Sequence, residues 1–242
     1  LKERKKILDD NYDANVIFAS GYGRPNKFNS DHLSVIEANV KNILGYSGAN
    51  IESFAFISTS ELYTGHTENV HESSVLLSGP EHPRSIYIES KRLAESIVHH
   101  ILSKNCKRVA IYRVALAFPP KLLDDDHRVL SDLISGGINN GIVTLNGGAN
   151  LIRQYQYGVN TVYKILGSLF NGTSIVYNNS GSHIVTLGEL ATLVASILNV
   201  DSTLKGYNKD QTSPKAVLVD SALINKESGY KVQNEGKLEY YL

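Results

Sequence analysis

Short, nearly unbroken apolar runs alternate along this chain with segments whose apolar residues recur every three or four positions. Asn15-Val-Ile-Phe-Ala-Ser20, Ser53-Phe-Ala-Phe-Ile-Ser58 and Arg108-Val-Ala-Ile-Tyr-Arg113 have the length and β-branched or aromatic content of buried strands. Between them, Leu33, Ile36, Val40, Ile43 and Leu44 keep helical spacing, as do Leu93, Ile97, Ile101 and Leu102. Strand, helix, strand, helix, strand with strands apolar on both sides predicts an α/β fold whose parallel sheet is covered on both faces. In such sheets ligands sit beyond the carboxyl ends of the strands. That places Ser20, Ser58 and Thr59 at the candidate site.

After Phe118-Pro-Pro120 the pattern changes. An acidic loop, Asp124-Asp-Asp126, leads to an expected helix around Val129–Ile134. A short strand is expected at Ile142-Val-Thr-Leu145, followed by a turn at Gly147-Gly148. Thr186 with Glu189 three residues on forms a capping box before the apolar run Leu190–Leu198. The segment from Val219 to Tyr230 predicts a short helix closed by Gly229. This second half is expected to form a small cap over the sheet edge.

Composition narrows the function. The 242 residues are 42% apolar with zero net charge, enough for a sizeable core. A neutral balance leaves no electrostatic footprint for nucleic acid or an anionic membrane. No apolar run reaches membrane-spanning length, and no signal-type segment follows the charged start. The single cysteine, Cys106, excludes an internal disulfide and offers no metal cluster. A reducing, cytoplasmic setting with no metal is the expectation.

Two clusters carry candidate chemistry. Tyr87 and Lys91 lie four residues apart, on one face of a helix. An ammonium there would stabilise phenolate and lower the Tyr pKa from about 10, fitting it to take a proton from a sugar hydroxyl. The same spacing also occurs in solvated pairs. Upstream, Ser58-Thr-Ser-Glu61 ends the second strand with hydroxyls and a carboxylate. Thr59 could share a substrate oxygen with Tyr87, or could satisfy only local backbone groups. Glu61 is either a loop residue or a second acid/base group.

Together, Ser58-Thr-Ser-Glu-Leu-Tyr63 and Tyr87-x-x-x-Lys91 resemble the extended short-chain dehydrogenase/reductase family, the nucleotide-sugar epimerases, dehydratases and decarboxylases. The likeness runs through nearly the whole chain. Val16–Gly21 resembles the fourth strand of that fold, whose end lines the dinucleotide, which implies cofactor contacts at Ala19, Ser20 and Gly21 as well as Tyr87 and Lys91. Glu37–Leu44 is similar to the following helix, with Asn39 at the family's asparagine. Arg153-Gln-Tyr-Gln-Tyr157 resembles the diphosphate segment, implying substrate contacts at Arg153 and Tyr157. Arg128 is a second candidate for phosphate or carboxylate. The Thr-Ser-Glu triplet, Arg84–Glu95 and Asp126–Ser131 are most similar to the UDP-glucuronate decarboxylase and GDP-mannose dehydratase branch.

The resemblance implies a Rossmann-like doubly wound sheet over residues 1–115, lacking its first strands, and a nucleotide-sugar-binding cap over 116–242 with segments returning to the sheet. It implies NAD as cofactor, with NADP open, a nucleotide-diphosphate sugar substrate, and a homodimer. The implied chemistry passes through a 4-keto sugar, with Thr59, Glu61, Tyr87 and Lys91 catalytic. Alternatives are a 4-epimerase or reductase on the same fold, or a degenerate nucleotide-binding homologue. The sequence departs from the family in containing no Gly-x-x-Gly-x-x-Gly loop before a helix, and Leu116 stands where the family has Asn.

Overall fold

The least polar stretches of the chain lie at the centre of its main sheet. The structure, a computed structural model, describes residues 14–21, 31–121, 126, 128–205 and 217–232. The opening residues, Gly23 and the first two aspartates of the acidic loop lie outside these. Strands β1 (Ala14–Phe18), β2 (Ile51–Thr59), β3 (Cys106–Val114) and β7 (Val176–Asn179) form a parallel sheet in the order β1-β2-β3-β7. This confirms the expected α/β fold. β2 is buried along most of its length because side chains from both of its faces meet helices.

The first face is covered by α1 and α2. Helix α1 runs from His32–Ile36 through a π-helical turn, Glu37–Lys41, to Asn42–Leu44; α2 spans Ser85–His100. Phe54 and Phe56 of β2 point to this face and pack with Phe18, Ile43, Ala94 and Val98. Fully burying a phenylalanine side chain stabilises by about 1.5–3 kcal/mol, so these rings dominate the layer. The opposite face is covered by α4 (Gly158–Asn171) and α6 (Ala222–Ser228), where Ala55 and Tyr112 meet Ile165, Tyr177 and Ile224. The two helices approach closely because Gly167 has no Cβ: one built there would collide with the Ser228 carbonyl.

A second core lies under the cap. It is built from β4 (Leu116–Phe118), α3 (Val129–Asn140), β5 (Ile142–Leu145), β6 (Ile152–Tyr157), β8 (His183–Thr186), α5 (Leu187–Leu198) and β9 (Asp201–Leu204). β6 pairs with β4 in parallel and with β8 antiparallel, and β5 pairs with β9. The capping box forms as expected: the Glu189 amide donates to Thr186 Oγ1 (3.1 Å) and the Thr186 amide to Glu189 Oε2 (2.8 Å). Gly229 closes α6 in the left-handed region at φ 64°. Helix α3 is twice as long as the expected turn-and-a-half, ending at Gly141, also left-handed.

Helical spacing located α1 and α2, and of the residues that carry it Ile43, Ile97 and Leu102 are buried. The inward stripe of α1 is Val35, Asn39 and Ile43, four residues apart; Leu33, Ile36 and Leu44 face outward. On α2, Ile88, Lys91, Ala94, Glu95 and Val98 face inward, and Leu93 and Ile101 outward. The polar members of each stripe, Asn39 on α1 and Lys91 and Glu95 on α2, lie outside the apolar spacing.

Candidate active site

The parallel register brings the strand ends to one edge: Thr59 stands beside Val114, and Val114 beside Asn179. Above this edge, between sheet and cap, lies a cleft of about 790 Å³. Its wall holds Thr59 and Glu61 from the sheet side, and Arg128, Arg153 and Tyr155 from the cap.

Thr59 ends β2 in extended geometry and caps the 3₁₀ turn Ser60–Tyr63, its Oγ1 accepting the Glu61 amide at 3.2 Å. The same hydroxyl is hydrogen-bonded to the Tyr87 phenol of α2. The fold thus brings Thr59 and Tyr87 together at the end of β2. Lys91, one turn further along α2, reaches back to the end of β2, donating to the Ile57 carbonyl at 2.8 Å and lying 4.9 Å from the Phe56 ring centroid. Gly21 sits against it: a Cβ there would come within 2.7 Å of Lys91 Nζ and 3.2 Å of Asn39 Oδ1. Asn39 in turn donates to Ser90 Oγ (3.0 Å). Ala19, Ser20 and Gly21 are exposed at the end of β1, on the same edge.

One expectation is overturned. Lys91 does not depress the Tyr87 phenol. Burial pushes Tyr87 up to about 12; the Thr59 hydrogen bond and the Arg84 charge oppose this, and the Glu61 charge adds to it. Burial also lowers Lys91 to about 8, against the pull of Glu95. Desolvation disfavours both charged forms and is the largest influence on each.

The remaining expected residues divide. Glu61 is joined to Arg84, the N-cap of α2, at 2.5 Å. Arg128 is held by Asp126 in a two-bond pair (2.8 and 2.7 Å) and donates to the Ala117 carbonyl at 2.8 Å. Those bonds to Arg128 hold the Asp126 carboxyl down at about 2. Arg153 donates to the Ile152 carbonyl (2.9 Å) and faces the cleft. Tyr157 packs on Phe118, ring centroids 5.5 Å apart, and Tyr155 takes the place in the cleft wall. Ser58 is turned away, donating to Glu95 Oε1 at 2.6 Å.

Sequence reasoning missed the buried network beneath the site. Arg113 pairs with Glu95 (2.7 Å), and also donates to Tyr63 Oη (2.8 Å) and the Glu72 carbonyl (3.1 Å). Burial opposes the Arg113 charge, but the hydrogen bonds that its guanidinium donates to the Glu95 carboxylate raise it above its ordinary value. A charged residue ending an apolar strand was the available signal. His82 and Arg84, also in the cleft wall, were missed for lack of any apolar periodicity around them.

Comparisons with known proteins agree with this architecture. UDP-glucuronic acid decarboxylase 1 of Xenopus tropicalis is 26% identical over 185 residues, covering 72% of this chain and 42% of the relative. The Arabidopsis thaliana protein of the same name is 25% identical over 185 residues, covering 75% and 42%. The chain thus spans less than half the length of these relatives. Among solved structures, the UDP-glucose 4-epimerase of Thermotoga maritima with UDP-glucose superposes with a TM-score of 0.80 at 16% identity, over 98% of this chain and 79% of that one. The UDP-glucuronic acid 4-epimerase of Bacillus cereus, in complex with UDP-glucuronic acid and NAD, gives 0.76 at 17%, over 98% and 76%. Across residues 2–166 the sequence matches the NAD dependent epimerase/dehydratase family, and the chain belongs to it.

Proposed function

We propose that this chain carries the catalytic cleft of an enzyme that modifies a nucleotide-diphosphate sugar through a transient 4-keto intermediate, decarboxylating a uronate or dehydrating a hexose. The observation that carries this reading is the Thr59–Tyr87 hydrogen bond at the cleft edge, with Glu61 in the adjoining turn and two arginines across the gap. Residues 1–115 would serve the dinucleotide and 116–242 mainly the sugar nucleotide. The exposed end of β1 and the close approach of Gly21 to Lys91 fit a nicotinamide ribose held by Ala19, Ser20, Gly21 and Lys91. NAD, when bound there, supplies a hydride acceptor at the sugar C4 and a cationic ring that favours the phenolate of Tyr87.

The chain's own groups do the proton work. Thr59 holds O4 of the sugar and Tyr87 takes its proton, returning it when the ketone is reduced. The C4 ketone makes a C5 carboxylate part of a β-keto acid, so it leaves as carbon dioxide while the electron pair of the broken bond passes into the C4–C5 enolate, and that step calls for no metal. Glu61 handles the C5 proton. Arg153 presents a permanently charged, forked donor to the diphosphate, and Arg128, its fork taken up by Asp126 and the Ala117 carbonyl, adds its charge to the same wall of the cleft. A free, buried Cys106 thiol suits a cytoplasmic setting.

The test is product analysis with NAD and, separately, UDP-glucuronate, GDP-mannose and UDP-glucose. Carbon dioxide release from UDP-glucuronate is the expected result. A 4-keto-6-deoxy product from GDP-mannose would assign the dehydratase reaction instead, and no conversion of any of the three refutes the reading.

The outward residues of α1 and α2 support a homodimer. Leu33 is 82% exposed, and Ile36, Leu44, Leu93 and Ile101 are exposed to 39–52%. Apolar area of this kind on adjacent helices marks an association surface. Leu33→Glu combined with Leu93→Glu is expected to halve the mass seen by light scattering; an unchanged mass excludes this face.

A further inference from the structure

We propose that Arg84 is a positioning residue, clamping the turn that carries Thr59 and Glu61 onto the N-terminus of α2 and balancing the Glu61 charge beside the Tyr87 phenol. This rests on the functional reading above for its consequence, though not for its geometry. Three contacts define the clamp. Arg84 Nη1 meets Glu61 Oε1 at 2.5 Å. The Glu61 amide donates to Thr59 Oγ1, and Thr59 is bonded to Tyr87. Arg84 itself is fixed from behind, its amide donating to His82 Nδ1 at 3.1 Å, and it lies three residues before Tyr87 on the same helix. A closed ring of residues results: Arg84, Glu61, Thr59, Tyr87 and back along α2. No other ion pair joins that turn to α2 among the described residues.

Among the described residues, the charges facing the phenol come from two elements. Glu61, from the turn, raises its pKa, and Arg84, from the start of α2, lowers it. Lys91 is turned to the Ile57 carbonyl. Thr59, from β2, contributes a neutral hydrogen bond. Removing Arg84 would leave the Glu61 carboxylate without this counter-charge beside Tyr87 and take away one of the ties between the turn and α2. Removing the Glu61 charge would act on the phenol in the opposite sense. A role confined to holding the fold together predicts no such opposition.

The experiment follows the Tyr87 phenol directly. Tyrosines are replaced by fluorotyrosine, whose ring fluorine brings phenol titration into a range where the fold survives. The Tyr87 signal is identified by its loss in Tyr87→Phe, and fluorine NMR tracks it against pH. Arg84→Met is expected to raise the midpoint by about half a pH unit or more, Glu61→Gln to lower it, and Arg84→Lys to stay near the parent value. An unmoved midpoint in Arg84→Met, or a Lys variant that behaves like Met, overturns the proposal. The same variants assayed with the three nucleotide sugars separate the two readings. If the unsubstituted protein converts none of them, the functional reading falls, while the titrations still decide the role of Arg84.

Discussion

On the proposed function, Tyr87→Phe is expected to lower kcat by about three orders of magnitude and to leave the affinity for the nucleotide sugar within about threefold, because it would remove the proposed proton-transfer group and little else. The ring stays in place and its burial is kept. The lost hydroxyl costs one hydrogen bond, to Thr59, worth about 1 kcal/mol. Thr59 keeps the Glu61 amide, so the turn survives. The arginines that would hold the diphosphate lie across the cleft and are untouched. Calorimetric titration of the nucleotide sugar alongside steady-state product formation separates the two quantities. Activity within tenfold of the parent would remove Tyr87 from the proton path. The raised phenol sharpens this point, since a group near 12 is protonated at neutral pH and serves as a base only where a bound cation offsets its burial.

Arg113→Leu is expected to destabilise the protein by about 3–5 kcal/mol, the cost of leaving a buried carboxylate without its partner. Arg113 and Glu95 are each below a tenth exposed, and their pair is bound at both guanidinium Nε and Nη2. Loss of the guanidinium also strips Tyr63 Oη and the Glu72 carbonyl of a donor. The melting temperature should fall by about 10 °C for a chain of this size. Adding Glu95→Leu should recover part of that loss, since replacing both charges by apolar groups removes the orphaned ion. Urea unfolding of the two variants decides it, and a loss below about 1 kcal/mol in Arg113→Leu would show that water reaches Glu95.

The strands, the order of elements and the partners at the cleft edge were legible in the sequence because each rests on a local rule. Apolar runs bounded by polar residues gave β2 and β3; four-residue spacing put Tyr87 and Lys91 on one face; the capping box gave the start of α5. What escaped depends on partners far along the chain. Glu95 on α2 reads as one more surface acid until β3 delivers Arg113 to it. The charge states of Tyr87 and Lys91 depend on how deeply the fold buries them, which spacing does not encode. Arg84 has no partner in view until the turn after Thr59 folds back.

The polar members of the inward stripe on α2 give that helix an index mark. Sliding it by one position would trade Lys91 for Arg92 and Glu95 for Ser96, withdrawing the carboxylate from Arg113 and the ammonium from the Ile57 carbonyl together. A helix seated only by leucines would tolerate such a slip at small penalty, because one aliphatic surface resembles the next. Here the mis-seated arrangement leaves the buried Arg113 guanidinium without its carboxylate, so the alignment that sets Tyr87 opposite Thr59 is enforced from below by the Arg113–Glu95 pair.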